Sequence, residues 1–160
     1  MDKYEILSII LPIFILLHIL EEFVFPGGFM TWDRAYRPEI AKSINPRFLI
    51  IVNTMLLLIC INPITFGFTS GGIKWWLSIV SILFVNSFFH IKGVIVMKRY
   101  SPGVITSIVL YIPLTIYGYL YFLSTNKVSW ISMILCFSVG IAYHLFSSYN
   151  PLRKIKNINK

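Results

Sequence analysis

Apolar residues fall into five long runs, at about 6–25, 48–68, 74–97, 103–123 and 129–147. Each is close to the roughly 20 residues a helix needs to cross a bilayer. Turn-forming residues separate the runs: Pro26-Gly27-Gly28, Asn45-Pro46, Ser70-Gly71-Gly72, Ser101-Pro102-Gly103, Thr125-Asn126 and Asn150-Pro151. Trp32, Trp75, Trp76, Trp130 and Tyr149 stand near the edges, where amphipathic rings favour the headgroup layer. The runs lack the period-two alternation of a membrane barrel. The pattern therefore predicts an all-α bundle of five transmembrane helices, a single integral membrane domain over 1–160 with a basic tail at 148–160.

Composition agrees with the pattern. The chain is 57% hydrophobic and 12% charged, against roughly 25% charged in soluble domains, and its mean hydropathy is +0.78. Too little polar surface remains to cover a globule in water, and disorder, a coiled coil and a secreted disulfide scaffold are excluded with it. Cys60 and Cys136 both lie in apolar runs and read as small buried residues. The first run opens with Met1-Asp2-Lys3-Tyr4-Glu5 and ends in Glu21-Glu22, so it reads as a retained helix and not a cleaved signal.

The net charge of +8 is unevenly placed. Alternate connections hold only Lys3, Lys74 and Lys127 on one side. The other side has Arg34, Arg37, Lys42, Arg47, Lys92, Lys98, Arg99, Arg153, Lys154, Lys156 and Lys160, eleven against three. The positive-inside rule then predicts a cell-membrane protein with its amino terminus outside and its carboxyl terminus in the cytoplasm. Lys92 snorkelling from the third helix changes the balance only to ten against three. Membrane flanks account for the charge, and nucleic acid is not an expected partner.

The informative residues are polar groups inside the spans, where a charge costs about 2.5–3.5 kcal/mol on insertion scales. All three histidines are there, His18, His90 and His144 on the first, third and fifth helices, together with Glu21 and Glu22. All three imidazoles fall in the cytoplasmic halves of their helices and are read as standing at comparable depth, which predicts one convergent site. His18, Glu21 and Glu22 share a helix face at i, i+3 and i+4, and Asn86 sits one turn before His90. Tyr143, Ser147 and Ser148 offer hydroxyls near His144. Imidazole and carboxylate are the ligands of zinc and non-haem iron. His-x-x-Glu-Glu also stands one residue from the His-x-x-Glu-His zincin pattern.

His18-Ile19-Leu20-Glu21-Glu22 followed by Phe25-Pro26, then Asn86-Ser87-Phe88-Phe89-His90, then Tyr100-Ser101-Pro102-Gly103, resembles the HXXEE family of integral membrane proteins. The likeness runs from the first helix through at least the fourth. It implies a small bacterial multi-span protein and, with no secure activity for the family, says almost nothing about the reaction.

Plainer readings stand beside these. The His/Glu group also suits a polar cluster pinning helices together, although such contacts average only about 0.6 kcal/mol each. Pro102-Gly103 reads as the end of a loop and the start of a helix, and Pro113 as a kink. The loop at 30–47 reads either as an interfacial segment or as a lid whose arginines grip an anionic headgroup. Trp32, Arg34, Arg37 and Tyr100 are its candidate substrate-binding residues and those of the adjoining motif. No nucleotide or haem signature occurs.

Three functions follow in order. The first is a metal-dependent hydrolase or oxidase acting on a lipid or other hydrophobic substrate. In it His18, His90, Glu22 and His144 hold zinc or iron, one of Glu21 and Glu22 ligates while the other is the general base, and Asn86 assists. The second is metal-free acid–base chemistry on an isoprenoid-like compound, with aromatic rings steadying a carbocation. The third is a proton- or metal-coupled transporter or binding protein, complete only as a homo-oligomer, because five spans are few and no inverted repeat is visible.

Overall fold

The computed structural model describes residues 2–24, 27–43 and 45–158. Phe25, Pro26 and Lys160 lie outside the described residues, as do the side chains of Lys42, Ser148, Tyr149, Arg153, Lys154 and Lys156. The described residues are predominantly helical, and no strand occurs among them. The elements are α1 (Lys3–Val24), α2 (Gly28–Tyr36), a 3-10 helix (Pro38–Ser43), α3 (Pro46–Ile59), α4 (Asn62–Phe66) and α5 (Ser70–Met97). Then come α6 (Val104–Thr106), a π-helical turn (Ser107–Tyr111), α7 (Ile112–Ser124) and α8 (Trp130–Ile158). Among the described residues five stretches are long and apolar enough to cross a membrane: Lys3–Val24, Leu49–Phe66, Ser70–Met97, Val104–Ser124 and Trp130–Ser147.

Periodicity explains how the helices pack. On α1, Tyr4, Leu7, Leu11, Ile15, His18 and Glu22 are all buried, and their spacing of three and four puts them on one stripe. On α5 the buried stripe is Trp76, Val80, Leu83, Ser87 and His90. Apolar at one end and polar at the other, the two stripes make a dry core in one half of the bundle and a polar site in the other. Tyr111, Leu114 and Phe122 complete the core. Ile9, Ile13, Leu16, Leu20 and their like on the opposite face of α1 are exposed, as lipid-facing positions must be. The α5–α8 contact is close because Gly140 has no Cβ; one there would run into the Ser81 backbone.

Several local expectations change. The second apolar run is divided between α3 and α4, because Pro63, at the start of α4, has no amide hydrogen with which to continue α3. Ser70-Gly71-Gly72 is the first turn of α5 and not a loop, since Thr69 caps it by accepting from the Gly72 amide at 3.0 Å. The segment expected to be a loop at 30–47 is largely α2 and the 3-10 helix. Pro113 follows a π turn, which absorbs the hydrogen bond that proline cannot make. Asn150-Pro151 does not end α8, which continues to Ile158; an internal proline costs a helix one backbone bond without requiring it to stop. Trp76 is fully buried, and its indole donates to the Leu7 carbonyl at 3.1 Å. It is thus a core residue, because its one polar atom finds a backbone partner away from the headgroup layer.

Candidate metal centre

Three segments meet at the polar end of the stripes: α1 with His18, Glu21 and Glu22, α5 with Asn86 and His90, and the turn that enters α6. In that turn the Val104 amide bonds the Ser101 carbonyl at 3.0 Å, with Pro102 and Gly103 at the central positions. Gly103 has φ 97°, the positive value that a type II turn requires and that glycine alone adopts freely. A Cβ there would stand 2.7 Å from His18 Cε1 and 2.8 Å from His90 Cε1. The turn is therefore pressed against both imidazoles, which are buried and 5.0 Å apart between ring centres.

Glu21 faces this turn and not the space between the rings. Its Oε1 accepts from the Tyr100 hydroxyl at 2.5 Å and the Ile105 amide at 3.0 Å. Its Oε2 accepts from the Thr106 amide at 2.8 Å and the Thr106 hydroxyl at 2.5 Å. Four donors on one carboxyl group satisfy a carboxylate and cap the first amides of α6. Tyr100 is held to its neutral form: burial raises its pKa above the ordinary tyrosine value, and the bond to Glu21 adds to the effect.

The same threonine fixes the tautomer of His18. Thr106 Oγ1 spends its single hydrogen on Glu21, so at 2.8 Å from His18 Nδ1 it accepts, and that nitrogen is N–H. His90 Nδ1 lies 3.2 Å from Ser101 Oγ. Between the two rings the Asn86 Nδ2 group donates to His18 Nε2 at 3.3 Å and to His90 Nε2 at 3.2 Å. Both Nε2 atoms therefore present lone pairs. Glu22 Oε1 stands 3.4 Å from one and 3.5 Å from the other, while its Oε2 accepts from Asn53 of α3 at 3.5 Å.

His18, His90 and Glu22 thus offer three ligand atoms within 4.8 Å of one another, all three residues buried. One carboxylate and two neutral imidazoles are a donor set for a divalent cation. Each histidine uses its second nitrogen on a hydroxyl, as metal-binding imidazoles do. Of the four proposed metal ligands His144 is not in this group. Its Nε2 donates to the Ile82 carbonyl at 3.0 Å, because equal depth does not fix the direction in which a side chain leaves its helix.

A cavity of about 200 Å³ opens beside the group, touching His18, Glu22, Asn86 and His144. Ile15, Ile19, Leu49, Val52, Leu56 and Leu83 supply much of its apolar wall, and Asp33, Arg37, Asn45 and Asn53 add polar groups. Arg37 borders it but is committed to Asp33 through a bidentate pair at 2.7 and 2.6 Å. Arg34 is exposed, and Trp32 stacks towards His90 at 6.3 Å between centroids. Tyr100 bonds Glu21 and is not among the cavity residues. Residue-by-residue reading missed Thr106, Ser101, Asn53 and Asp33. Ser101 had a signal, since it belongs to the quoted turn motif; Thr106 and Asn53 look like ordinary span residues.

A family model described as a protein of unknown function with HXXEE motif matches residues 9–118. No curated protein and no solved structure matches the chain.

Proposed function

Because the chain belongs to the HXXEE family, whose function is unknown, its role is read from its own residues, and we propose that it is a membrane-embedded, metal-dependent enzyme acting on a lipid-like or other hydrophobic substrate. The observation that carries this reading is the convergence of His18, His90 and Glu22 within 4.8 Å. Among the described residues, three acceptor atoms share that space with the two hydrogens of the Asn86 amide, an excess of lone pairs that a cation would relieve. His18 Nε2, His90 Nε2 and Glu22 Oε1 would hold the ion. A divalent metal there would supply Lewis acidity, polarising a substrate oxygen or lowering the pKa of water.

The chain's own groups divide the remaining work. Glu21, saturated by four donors, orients His18 through Thr106 and is not the base. Glu22 Oε2, with one long bond to Asn53, is the carboxylate oxygen left to take up a proton. The apolar wall accepts a hydrocarbon body and excludes water. Charge asymmetry along the chain supports a site opening towards the cytoplasmic half of the bilayer.

Metal analysis by mass spectrometry on detergent-purified protein tests the reading. About one zinc or iron per chain is expected, lost in His18→Ala, Glu22→Gln and His90→Ala with helix content retained. A protein that holds no metal after supplementation overturns it, and the cluster then reads as proton chemistry centred on Glu22.

A further inference from the structure

The four distances around Asn86 and Glu22 describe more than a three-ligand site. A tetrahedral ion with bonds of about 2.0–2.1 Å separates its ligand atoms by roughly 3.3–3.4 Å. The Asn86 amide nitrogen lies 3.3 Å from His18 Nε2 and 3.2 Å from His90 Nε2. Glu22 Oε1 lies 3.4 and 3.5 Å from the same two atoms. Four of the separations among these four groups are therefore close to the length that a four-coordinate ion requires, and the Asn86 amide is the fourth group of the set.

An amide nitrogen cannot serve as the fourth ligand, since it directs hydrogens and no lone pair at its neighbours. The amide oxygen can, and it has the same footprint. Resting on the metal-centre reading above, we infer that Asn86 is the fourth ligand, turning its amide by half a revolution about Cβ–Cγ when the ion enters and binding through Oδ1. Without an ion the two N–H groups satisfy the imidazole lone pairs; with one, the ion takes those lone pairs and the donors are no longer needed there. The exchange leaves both histidines in the same tautomer, so Thr106 and Ser101 keep their bonds.

Two consequences bear on the substrate. A neutral oxygen ligand leaves a dication with one carboxylate only, and so with net positive charge and more Lewis acidity than a second carboxylate would leave. Asn86 also borders the cavity, whereas His90 is fully buried. His18 and Glu22 border it too, but a neutral amide oxygen is the weakest donor of the three, so Asn86 is the ligand that an incoming oxygen of an uncharged carbonyl, hydroxyl or ester displaces. Arg37, the arginine among the cavity residues, is already paired with Asp33 and is not available to grip an anionic headgroup.

Cobalt(II) reports coordination through its visible absorption and separates this inference from the reading beneath it. The full chain in detergent, freed of metal and titrated with cobalt against a competing chelator, is expected to show the strong bands of a four-coordinate ion. His18→Ala is expected to abolish them. Asn86→Leu is expected to bind at least tenfold more weakly with altered bands, and Asn86→Asp to keep four-coordinate bands shifted by the charged donor. Wild-type affinity and spectrum in Asn86→Leu, beside loss in His18→Ala, overturn the role of Asn86 alone. If Asn86→Leu does not fold, a spectrum unchanged in Asn86→Asp overturns it instead. No cobalt uptake by the wild type removes the metal centre and this inference with it.

Discussion

Thr106 is the residue on which the orientation of His18 depends. Its hydroxyl stands between Glu21 Oε2 at 2.5 Å and His18 Nδ1 at 2.8 Å, so a carboxylate reaches the imidazole through one intervening oxygen. Hydrogen bonds to charged groups contribute about 1.5–3 kcal/mol, and outer partners of metal-binding histidines change affinity about 10–100-fold. Thr106→Val keeps the volume and removes the link, so metal affinity in chelator competition is expected to fall by about 10–100-fold. Thr106→Ser restores the hydroxyl and is expected to return most of it. Equal loss in both variants would mean that shape and not the hydroxyl matters. Glu21 and Glu22, adjacent in sequence, thereby have separate tasks: a helix turns each residue by 100°, so one faces the α6 turn and the other the space between the histidines.

At the scale of elements, the turn from α5 into α6 is the piece that closes the site. It delivers Ser101 to His90, Thr106 to His18, and the amides of Ile105 and Thr106 to Glu21. That delivery requires a backbone at positive φ with no side chain, hence Gly103. Gly103→Ala places a methyl group against both imidazoles and adds about 1–2 kcal/mol of left-handed strain. The expected outcome is a lower melting temperature together with loss of metal, measured by detergent-phase thermal unfolding and metal content. Retained metal in a destabilised protein would show that the rings have room to yield. The π turn that follows lets Pro113 sit in a span without an orphaned carbonyl.

At the scale of the whole molecule, five apolar helices carry a dry core at one end and the polar group at the other. The orientation in the bilayer is an expectation from charge, and it is open to a direct check because Cys60 and Cys136 are buried. Single cysteines at Lys127 and at Arg99, labelled in intact cells with a membrane-impermeant maleimide, are expected to differ. Lys127→Cys reacts from outside, and Arg99→Cys only after permeabilisation. The reverse result would turn the cavity towards the outer face and change where substrate enters.

Much of this was legible in the order of residues. Spans are read from hydrophobic length alone, since lipid forces every backbone amide to pair within its own helix. Polar groups within those spans are conspicuous because burying them is costly, which singles out His18, Glu21, Glu22, Asn86 and His90, and Pro102-Gly103 announces its turn. What the sequence left open is direction around the helix axis between different helices. Counting along the helices predicts that His144 joins the other two histidines, yet its ring goes to the Ile82 carbonyl. Which glutamate faces the rings, that Thr106 links Glu21 to His18, and that Arg37 is spent on Asp33 were likewise decided only by packing. Depth follows from counting residues along one axis, whereas contact depends on the rotation and crossing of helices, which no single segment encodes by itself.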